Sequence, residues 1–373
     1  MHTTGEPTRI VYAGYPPLSG TLLEQRALAR SKYDHVRRKL LLEPRGHRDM
    51  YGAVLRPATE LVDSGEADIG VLFMTNVGYS NMCGHATIAL GRFLIDTHDT
   101  SIFPNRWRLR SDDGSTVIKL HVPSGIVVVA VKTRPDHRAD ASAPVSFTSV
   151  PCFATGIGVQ IAIPADRRWR VGQSVRTVTV DFACGGGYFA IVRADELYDA
   201  GKSDLSGGDL KDLDEATSTL KDLVNENPSL RKYVTPPNTN PSGAELGLLR
   251  ALVVSLPGLG VIGSGTTSAE TGICYFDDHQ IDRSPTGSAA GARMALAYAQ
   301  GAIHLNEGRT YHSLLSNSKG GKGSFKARVL EETAGGVIVK IEGFAFYTGY
   351  HTFISEEEDI LGDDGFILEQ LHS

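Results

Sequence analysis

The chain has 373 residues, a length that suits two domains better than one and allows two hydrophobic cores. Lys and Arg total 37 against 43 Asp and Glu, and a net charge of -6 without a basic stripe argues against nucleic acid as a partner. No apolar stretch reaches the length of a transmembrane helix, and the N-terminal residues do not resemble a secretion signal. We therefore expect a soluble, cytoplasmic protein that does not enter a membrane.

Strand-like runs dominate the chain from its first residues onward. They are rich in β-branched side chains and are bounded by Gly, Pro, Asp or Ser, as strands usually are. The predicted strands cover residues 9–12, 69–74, 117–122, 126–131, 175–182, 188–192, 272–276, 336–341 and 344–347.

Two segments read as strongly apolar helices, at residues 84–95 and 287–299. Neither shows a clean polar stripe. A helix that is apolar nearly all round is buried, so we expect each to run through the centre of a curved sheet, one helix in each half of the chain.

The segments between the two halves have a different character. Residues 139–149 are rich in Ala, Ser and Pro and are predicted to cross from one half to the other, while 201–214 and 235–243 are predicted surface loops. A mixed polar and apolar helix at 213–227 is expected to pack on the outside of the second half. Nothing in its pattern suggests chemistry.

Both apolar helices are preceded by similar residues, Asn81-Met82-Cys83-Gly84-His85-Ala86 in the first half and Ser284-Pro285-Thr286-Gly287-Ser288-Ala289 in the second. The first turn of a helix presents unpaired N–H groups and a partial positive charge, so a glycine there lets a carboxylate approach closely. The same field favours the thiolate of a cysteine. An unpaired cysteine is more commonly a small buried apolar residue, but the repeated surroundings of Cys83 favour a functional role.

Four stretches of the sequence resemble the signature segments of the proline racemase family, in the family's order. They are His2-Thr3-Thr4-Gly5-Glu6-Pro7, Glu43-Pro44-Arg45-Gly46-His47-Arg48-Asp49-Met50-Tyr51-Gly52, Ser80-Asn81-Met82-Cys83-Gly84-His85-Ala86 and Asp282-Arg283-Ser284-Pro285-Thr286-Gly287-Ser288. Racemases and hydroxyproline epimerases of this family carry a cysteine in both halves. Members with threonine in the last motif are trans-3-hydroxy-L-proline dehydratases, and this sequence has Thr286 there.

The resemblance implies an α/β (α+β) fold like that of diaminopimelate epimerase. Such a fold has two similar halves, each a curved sheet around a central helix, with the active site in the cleft between them. We expect residues 1–140 with about 348–373 to form the half that carries Cys83, and residues 141–347 to form the half that carries Asp282 and Thr286. A homodimer is common for this fold, but the sequence does not fix the oligomeric state.

The resemblance further implies roles for individual residues towards a small hydroxyproline substrate. Cys83 would remove the α-proton and Thr286 would stand on the opposite face, while Asp282 would accept from the ring ammonium. The substrate carboxylate would be bound by backbone N–H groups. These N–H donors would belong to Gly84, His85, Gly287 and Ser288.

Three of these residues also have a simpler structural explanation. Asp282 would cap the turn before Pro285, a common role for Asp. His85 would bond a neighbouring backbone group, and Thr286 would be a helix N-cap, for which Thr is well suited.

The remaining chemistry-bearing residues favour neither a metal nor a cofactor. Cys83, Cys152, Cys184 and Cys274 are far apart and form no Cys-x-x-Cys pair, which argues against zinc and against a disulfide framework. Residues 43–52 contain two acidic residues and one histidine, which is weak evidence for a metal site. We expect structural hydrogen bonds there instead. Glycines follow Cys184, but the Lys-Ser/Thr of a phosphate loop is missing, so a tight turn near the substrate is predicted. Cys274 is predicted to be a core residue.

Three functions follow, in order of preference. The first is a cofactor-independent hydro-lyase acting on trans-3-hydroxy-L-proline. The second is an isomerase, either a proline racemase or a 4-hydroxyproline 2-epimerase, in which the weakly acidic hydroxyl of Thr286 would have to protonate the opposite face. The third is a non-catalytic amino-acid-binding protein.

Overall fold

The computed structural model describes residues 1–199, 210–235 and 248–371. Two compact units are present, one formed by Met1–Val150 with Glu342–Ser373 and the other by Pro151–Ile341. Of the two predicted surface loops, residues 201–209 and 236–243 lie outside the described residues.

The first unit is built from short strands and four helices within the described residues. The strands are β1 (His2–Thr3), β2 (Glu6–Pro7), β3 (Arg9–Val11), β4 (Gly52–Arg56), β5 (Ile69–Met74), β6 (Tyr79–Ser80), β7 (Ser111–Asp112), β8 (Ser115–Val122), β9 (Gly125–Lys132) and β10 (Val145–Thr148). The helices are α1 (Leu22–Lys32), α2 (Asp34–Leu41), α3 (Glu60–Asp63) and α4 (Gly84–Asp96).

The second unit has longer strands and further helices. Its strands are β11 (Phe153–Ala162), β12 (Thr177–Cys184), β13 (Tyr188–Arg193), β14 (Ala251–Pro257), β15 (Ser268–Phe276), β16 (Gln280–Ile281), β17 (Gly308–His312), β18 (Phe325–Thr333) and most of β19 (Gly336–Gly343), whose last two residues are counted with the first unit. Its helices are α5 (Leu210–Glu226), α6 (Pro228–Arg231), α7 (Gly287–Ala299) and α8 (Leu314–Ser318). A last short strand, β20 (Ala345–Phe346), belongs to the first unit.

The two units repeat one strand topology. In the first, β3 runs parallel to β4, β4 antiparallel to β5, β5 parallel to β8 and β8 antiparallel to β9. In the second, β13, β14, β15, β17 and β18 follow the same succession. In both, a hairpin leads into the central helix: β5–β6 before α4 and β15–β16 before α7. The predicted α/β fold with two similar halves is confirmed.

The central helix of each unit is buried, as its apolar pattern predicted. In α4, eleven of thirteen residues are buried, and in α7 the same number are. Helix α4 lies so close to the sheet that it needs a small residue at Gly91, because a Cβ there would lie 2.6 Å from Val129 Cγ1. Helix α4 also contacts the small sheet in which β1 pairs with β2 and with β20.

Other helices cover the outer face of each sheet. In the first unit, Leu22 and Leu41 from α1 and α2 pack with Leu72 and Met74 of β5. In the second, α5 contributes a stripe to the outer core, and its four fully buried apolar residues are Leu213, Ala216, Leu220 and Val224. The predicted outer helix at 213–227 is thus confirmed, although it begins at Leu210, inside the predicted loop 201–214.

The predicted crossing at 139–149 is wrong over its second half. Val145–Thr148 is strand β10, which pairs with β9 in an antiparallel ladder and so extends the sheet of the first unit. The unit boundary consequently falls at Val150 and Pro151. Composition suggested a linker because Ala, Ser and Pro precede a strand of four residues, too short for a clear alternation.

Candidate functional site

Cys83 occupies the N-cap of α4, where its extended backbone leads from β6 into the helix. Its Sγ accepts from Ala86 N at 3.5 Å, and its carbonyl accepts from Thr87 N at 3.0 Å and from Thr87 Oγ1 at 2.7 Å. The side chain is buried, with 5% of its surface exposed. The sulfur therefore lies at the N-terminal end of the helix, where the helix dipole stabilises negative charge.

The imidazole of His85 lies directly beside this sulfur. Nδ1 is 3.3 Å and Nε2 is 3.6 Å from Cys83 Sγ. The ring meets the ring of Tyr51 edge-on, with centroids 4.7 Å apart. An imidazole next to a thiol can exchange a proton with it, so the Cys83 and His85 pair has the composition of an acid–base centre.

Three of the signature segments meet at the start of α4. Thr3, from the first segment, is fully buried and donates through Oγ1 to the carbonyl of His85 at 2.9 Å. Tyr51, from the second, packs on His85, and its hydroxyl bonds Ser80 Oγ at 2.5 Å. Thr3, Tyr51 and Ser80 belong to the signature segments, but no contact between them and the start of α4 was predicted from the sequence. Sequence alone carries no signal for these pairings because they join residues far apart in the chain.

The charged residues of 43–52 bind the C-terminal part of the first unit. Glu43 and Phe366 form an antiparallel bridge, and Arg45 donates to the carbonyl of Leu361 at 2.9 Å. The structural role predicted for this stretch is consistent with these bonds. Among the described residues no group of three or more His, Cys, Asp or Glu is arranged to hold a metal ion.

In the second unit, Asp282 organises the turn that precedes α7. Its Oδ1 accepts from Ser284 N at 2.7 Å, and its Oδ2 accepts from the hydroxyl of Thr286 at 2.7 Å. The turn-capping role considered for Asp282 is therefore real. An ionised carboxylate has about four lone-pair sites, so these two bonds leave acceptor capacity for a ligand cation.

Thr286 occupies the N-cap position of α7, but its side chain does not cap the helix. Its hydroxyl bonds Asp282 instead, so Thr286 has the N-cap position that the structural alternative expected but not the side-chain bond of a capping threonine. The backbone of Thr286 has φ 59° and ψ 91°. A positive φ is a strained conformation for a β-branched residue: it costs about 1–3 kcal/mol and persists only where neighbouring groups enforce it.

The first turn of α7 also touches the glycine-rich segment after Cys184. This segment is a tight turn between β12 and β13, closed by a bond from Gly185 N to Gly187 O at 2.9 Å, as predicted. A Cβ on Gly185 would lie 2.1 Å from the carbonyl oxygen of Ser288. Burial raises the pKa of the adjacent Cys184 thiol, which favours its neutral form.

Cys274 and Cys152 belong to the interior of the second unit. Cys274 packs in the core between the sheet and α7, as predicted. Cys152 is fully buried, and its sulfur would lie 3.1 Å from a Cβ placed on Gly291 of α7.

The amino-acid sequence matches the model of a known protein family. The proline racemase family model matches residues 1–367, which is nearly the full chain. The chain belongs to the proline racemase family.

Curated members of the proline racemase family cover almost the whole chain. A trans-L-3-hydroxyproline dehydratase from Bos taurus is 38% identical over 376 residues, covering 99% of this chain and 93% of that protein. A trans-3-hydroxy-L-proline dehydratase from Homo sapiens is 38% identical over 374 residues with the same coverage. A proline racemase from Acetoanaerobium sticklandii is 30% identical over 365 residues, covering 96% of this chain and 95% of that protein.

Solved structures of the family share the fold. A hydroxyproline epimerase from Agrobacterium vitis, solved with bound trans-4-hydroxy-L-proline, aligns with a TM-score of 0.76 at 21% identity, covering 99% of this chain and 93% of that one. A probable proline racemase from Agrobacterium radiobacter, solved with bound carbonate, gives 0.74 at 22% identity, covering 98% and 95%. In the described residues of the present chain, no helix is long and apolar enough to cross a bilayer.

Proposed function

We propose that this protein is a trans-3-hydroxy-L-proline dehydratase that forms Δ1-pyrroline-2-carboxylate and water. One observation carries the proposal: Cys83 and Thr286 stand at the same position of the structural repeat, each between a hairpin and a central helix. A thiol occupies this position in one unit and a hydroxyl in the other. The dehydratases at 38% identity support the same reaction.

The stereochemistry of the substrate explains why one thiol is enough. In trans-3-hydroxy-L-proline the carboxylate and the hydroxyl are on opposite faces, so the α-hydrogen and the hydroxyl share a face. Cys83 thiolate takes the α-proton, and the electron pair of the C2–H bond becomes the C2–C3 π bond as the C3–O bond breaks. The proton held by Cys83 passes to the leaving oxygen, which departs as water. The enamine then tautomerises to the cyclic imine.

Charge that develops on the substrate carboxylate must be stabilised for the α-proton to leave. We assign this to the backbone N–H groups of Gly84, His85, Gly287 and Ser288. Preorganised donors of this kind stabilise a developing oxyanion more effectively than water does. Asp282 accepts from the ring ammonium with its remaining lone pairs.

His85 serves Cys83 in this scheme. Its Nδ1 lies 3.3 Å from the sulfur, close enough to take the thiol proton and keep the base ionised before substrate binds. Tyr51 and Thr3 fix the ring and the backbone of His85, respectively. The scheme uses these side-chain and backbone groups and calls on no cofactor.

An isomerase is the second candidate, because proline racemases are also relatives, at 30% identity. Inversion at C2 would require a proton donor on the face opposite Cys83. At the repeat position Thr286 offers a hydroxyl whose proton is directed to Asp282 Oδ2 at 2.7 Å. A threonine hydroxyl is a poor acid near neutral pH, which places this candidate second.

Three substrates separate the candidate functions. Purified protein is incubated with trans-3-hydroxy-L-proline, trans-4-hydroxy-L-proline and L-proline, and imine formation, chirality and binding are followed for each. The dehydratase hypothesis predicts that trans-3-hydroxy-L-proline forms the imine and that the other two substrates are not inverted at C2. Inversion of the second or third would support an isomerase, and binding of all three without reaction would support a non-catalytic binding protein.

A further inference from the structure

The peptide that joins Pro285 to Thr286 is held at both ends by side chains. Its carbonyl, on Pro285, accepts from Arg293 Nη2 at 3.1 Å, and its N–H, on Thr286, donates to Ser284 Oγ at 3.1 Å. Both Arg293 and Ser284 are almost fully buried. Two bonds on opposite sides of one planar unit fix its orientation.

The orientation of this peptide determines the conformation of Thr286. Its φ of 59° is measured about the bond that leaves the same peptide nitrogen. A residue stays in such a sparsely populated conformation only when its surroundings enforce it. Arg293 lies two turns further along α7, so it ties the interior of the helix to the peptide just before its first residue, Gly287.

Arg293 is itself fixed by a buried charge network. Its Nη1 donates to Glu270 Oε1 at 3.1 Å, and its guanidinium lies 4.3 Å from the centre of the Tyr311 ring. Arg309 Nη1 donates to the other oxygen of Glu270 at 3.0 Å, and Ser255 Oγ donates to Oε1 at 2.9 Å. The planar guanidinium can serve Glu270 and Pro285 at once, whereas the single ammonium of lysine is a point donor.

We propose that Arg293, held by Glu270, is a positioning residue for the substrate-binding end of α7. It orients the Pro285–Thr286 peptide and thereby aims the following N–H groups of Gly287 and Ser288, together with the Thr286 hydroxyl. This inference rests on the proposed function for the identity of the ligand. The orientation of the peptide itself does not depend on that function.

Arg309 provides a matched control, because it binds the same carboxylate of Glu270 without a bond to Pro285 among the described contacts. Arg293→Lys should raise KM for trans-3-hydroxy-L-proline by about tenfold or more, since a small misplacement of binding groups is costly. Arg309→Lys, compared at a similar loss of melting temperature, should leave KM nearly unchanged. An equal KM change in both variants, or none in Arg293→Lys, would overturn the proposal.

Ser284→Ala removes the hydroxyl that accepts from the N–H of the same peptide. It alters the buried core less than Arg293→Lys does, so it provides a test of the proposal if Arg293→Lys does not fold. It should raise KM in the same way. When both variants fold, the effects should be non-additive in the double variant, because both act on one peptide. Additive effects on KM in the double variant, or an unchanged KM in Ser284→Ala, would count against the positioning role of Arg293.

A crystal structure of Ser284→Ala or Arg293→Lys gives a readout that does not need turnover. The proposal predicts that φ of Thr286 leaves the positive region in at least one of them, while Arg309→Lys keeps it. If wild-type protein forms no imine, the proposed function fails but this measurement still decides the positioning role. A positive φ retained in both variants would contradict the role.

Discussion

At the scale of single residues, Cys83 and Thr286 differ in more than chemistry. Cys83 is a regular cap with φ −145°, and its sulfur faces the first turn of its helix, whereas Thr286 has φ 59° and turns its hydroxyl to Asp282. Sequence could predict both positions because each precedes a glycine and an apolar run. It could not predict the backbone of Thr286, because that conformation depends on Ser284 and Arg293.

Replacement of the proposed base should abolish turnover without unfolding the protein. In Cys83→Ser the weakly acidic hydroxyl cannot replace the thiolate, so imine formation from trans-3-hydroxy-L-proline should fall by about 100- to 10,000-fold. Steady-state kinetics and a thermal melt check both points. Cys184→Ser is the control, since burial raises the pKa of that thiol and the mechanism does not use it. Turnover near the wild-type level in folded Cys83→Ser would show that another group is the base.

A second thiol should add proton chemistry on the opposite face. Thr286→Cys places a sulfur at the repeat position and removes a β-branched residue from a positive φ. We expect α-deuterium exchange in D2O with inversion of L-proline or trans-4-hydroxy-L-proline, measured by NMR and chiral chromatography. Thr286→Ser, which keeps a hydroxyl, should retain dehydration and show no inversion. A folded Thr286→Cys without any exchange would count against the two-face argument.

At the scale of elements, the strands and helices that sequence predicted best were those with strong patterns. The run at 69–74 and both apolar central helices were found because their side chains are buried nearly all round. Strand β11 was missed because it contains two glycines and irregular pairing with β12, which blur its alternation. Helix α1 was missed because its polar character leaves few buried positions, which are Leu22, Gln25 and Ala29.

The contact between the β12–β13 turn and α7 gives a prediction at this scale. In Gly185→Ala the new methyl group would lie 2.1 Å from Ser288 O and 2.7 Å from Ala292 N, so helix or turn must move. We expect a loss of about 1–3 kcal/mol in the free energy of unfolding and a higher KM, because Ser288 is a proposed carboxylate ligand. Denaturant unfolding and kinetics measure these changes.

Gly187→Ala, in the same turn, is the matched control. Its methyl group would meet Phe189 Cε2 at 3.9 Å, an ordinary contact, so stability should change by less than about 0.5 kcal/mol. Equal losses of stability in the two variants, whether small or large, would contradict the packing argument for Gly185.

At the scale of the whole molecule, residues near both ends of the chain support the site of the first unit. Strand β20 pairs with β1, whose Thr3 bonds the carbonyl of His85. Tyr347 donates to Asp96 at the other end of α4, at 3.0 Å. The family resemblance predicted that the C-terminal residues, from about 348 onward, join the first half. Hydrophobic patterns in the sequence could not predict this, because the described part of that stretch has little regular secondary structure.

Deletion of residues 344–373 should therefore loosen the first unit. We expect faster hydrogen–deuterium exchange in α4 and a large loss of turnover, with a smaller change in α7. Deletion of residues 368–373 keeps the bridge between Glu43 and Phe366 and should leave exchange and turnover close to those of the full chain. Equal loosening of α4 and α7 by the longer deletion would contradict this division of roles.

The central claim is that one thiol performs proton chemistry on a single face of the substrate. Its most direct test is NMR of wild-type protein with trans-3-hydroxy-L-proline in D2O, stopped at partial conversion. The account predicts Δ1-pyrroline-2-carboxylate as product and no C2-inverted isomer in the remaining substrate. Inverted substrate, or the absence of imine from active, folded protein, would contradict it.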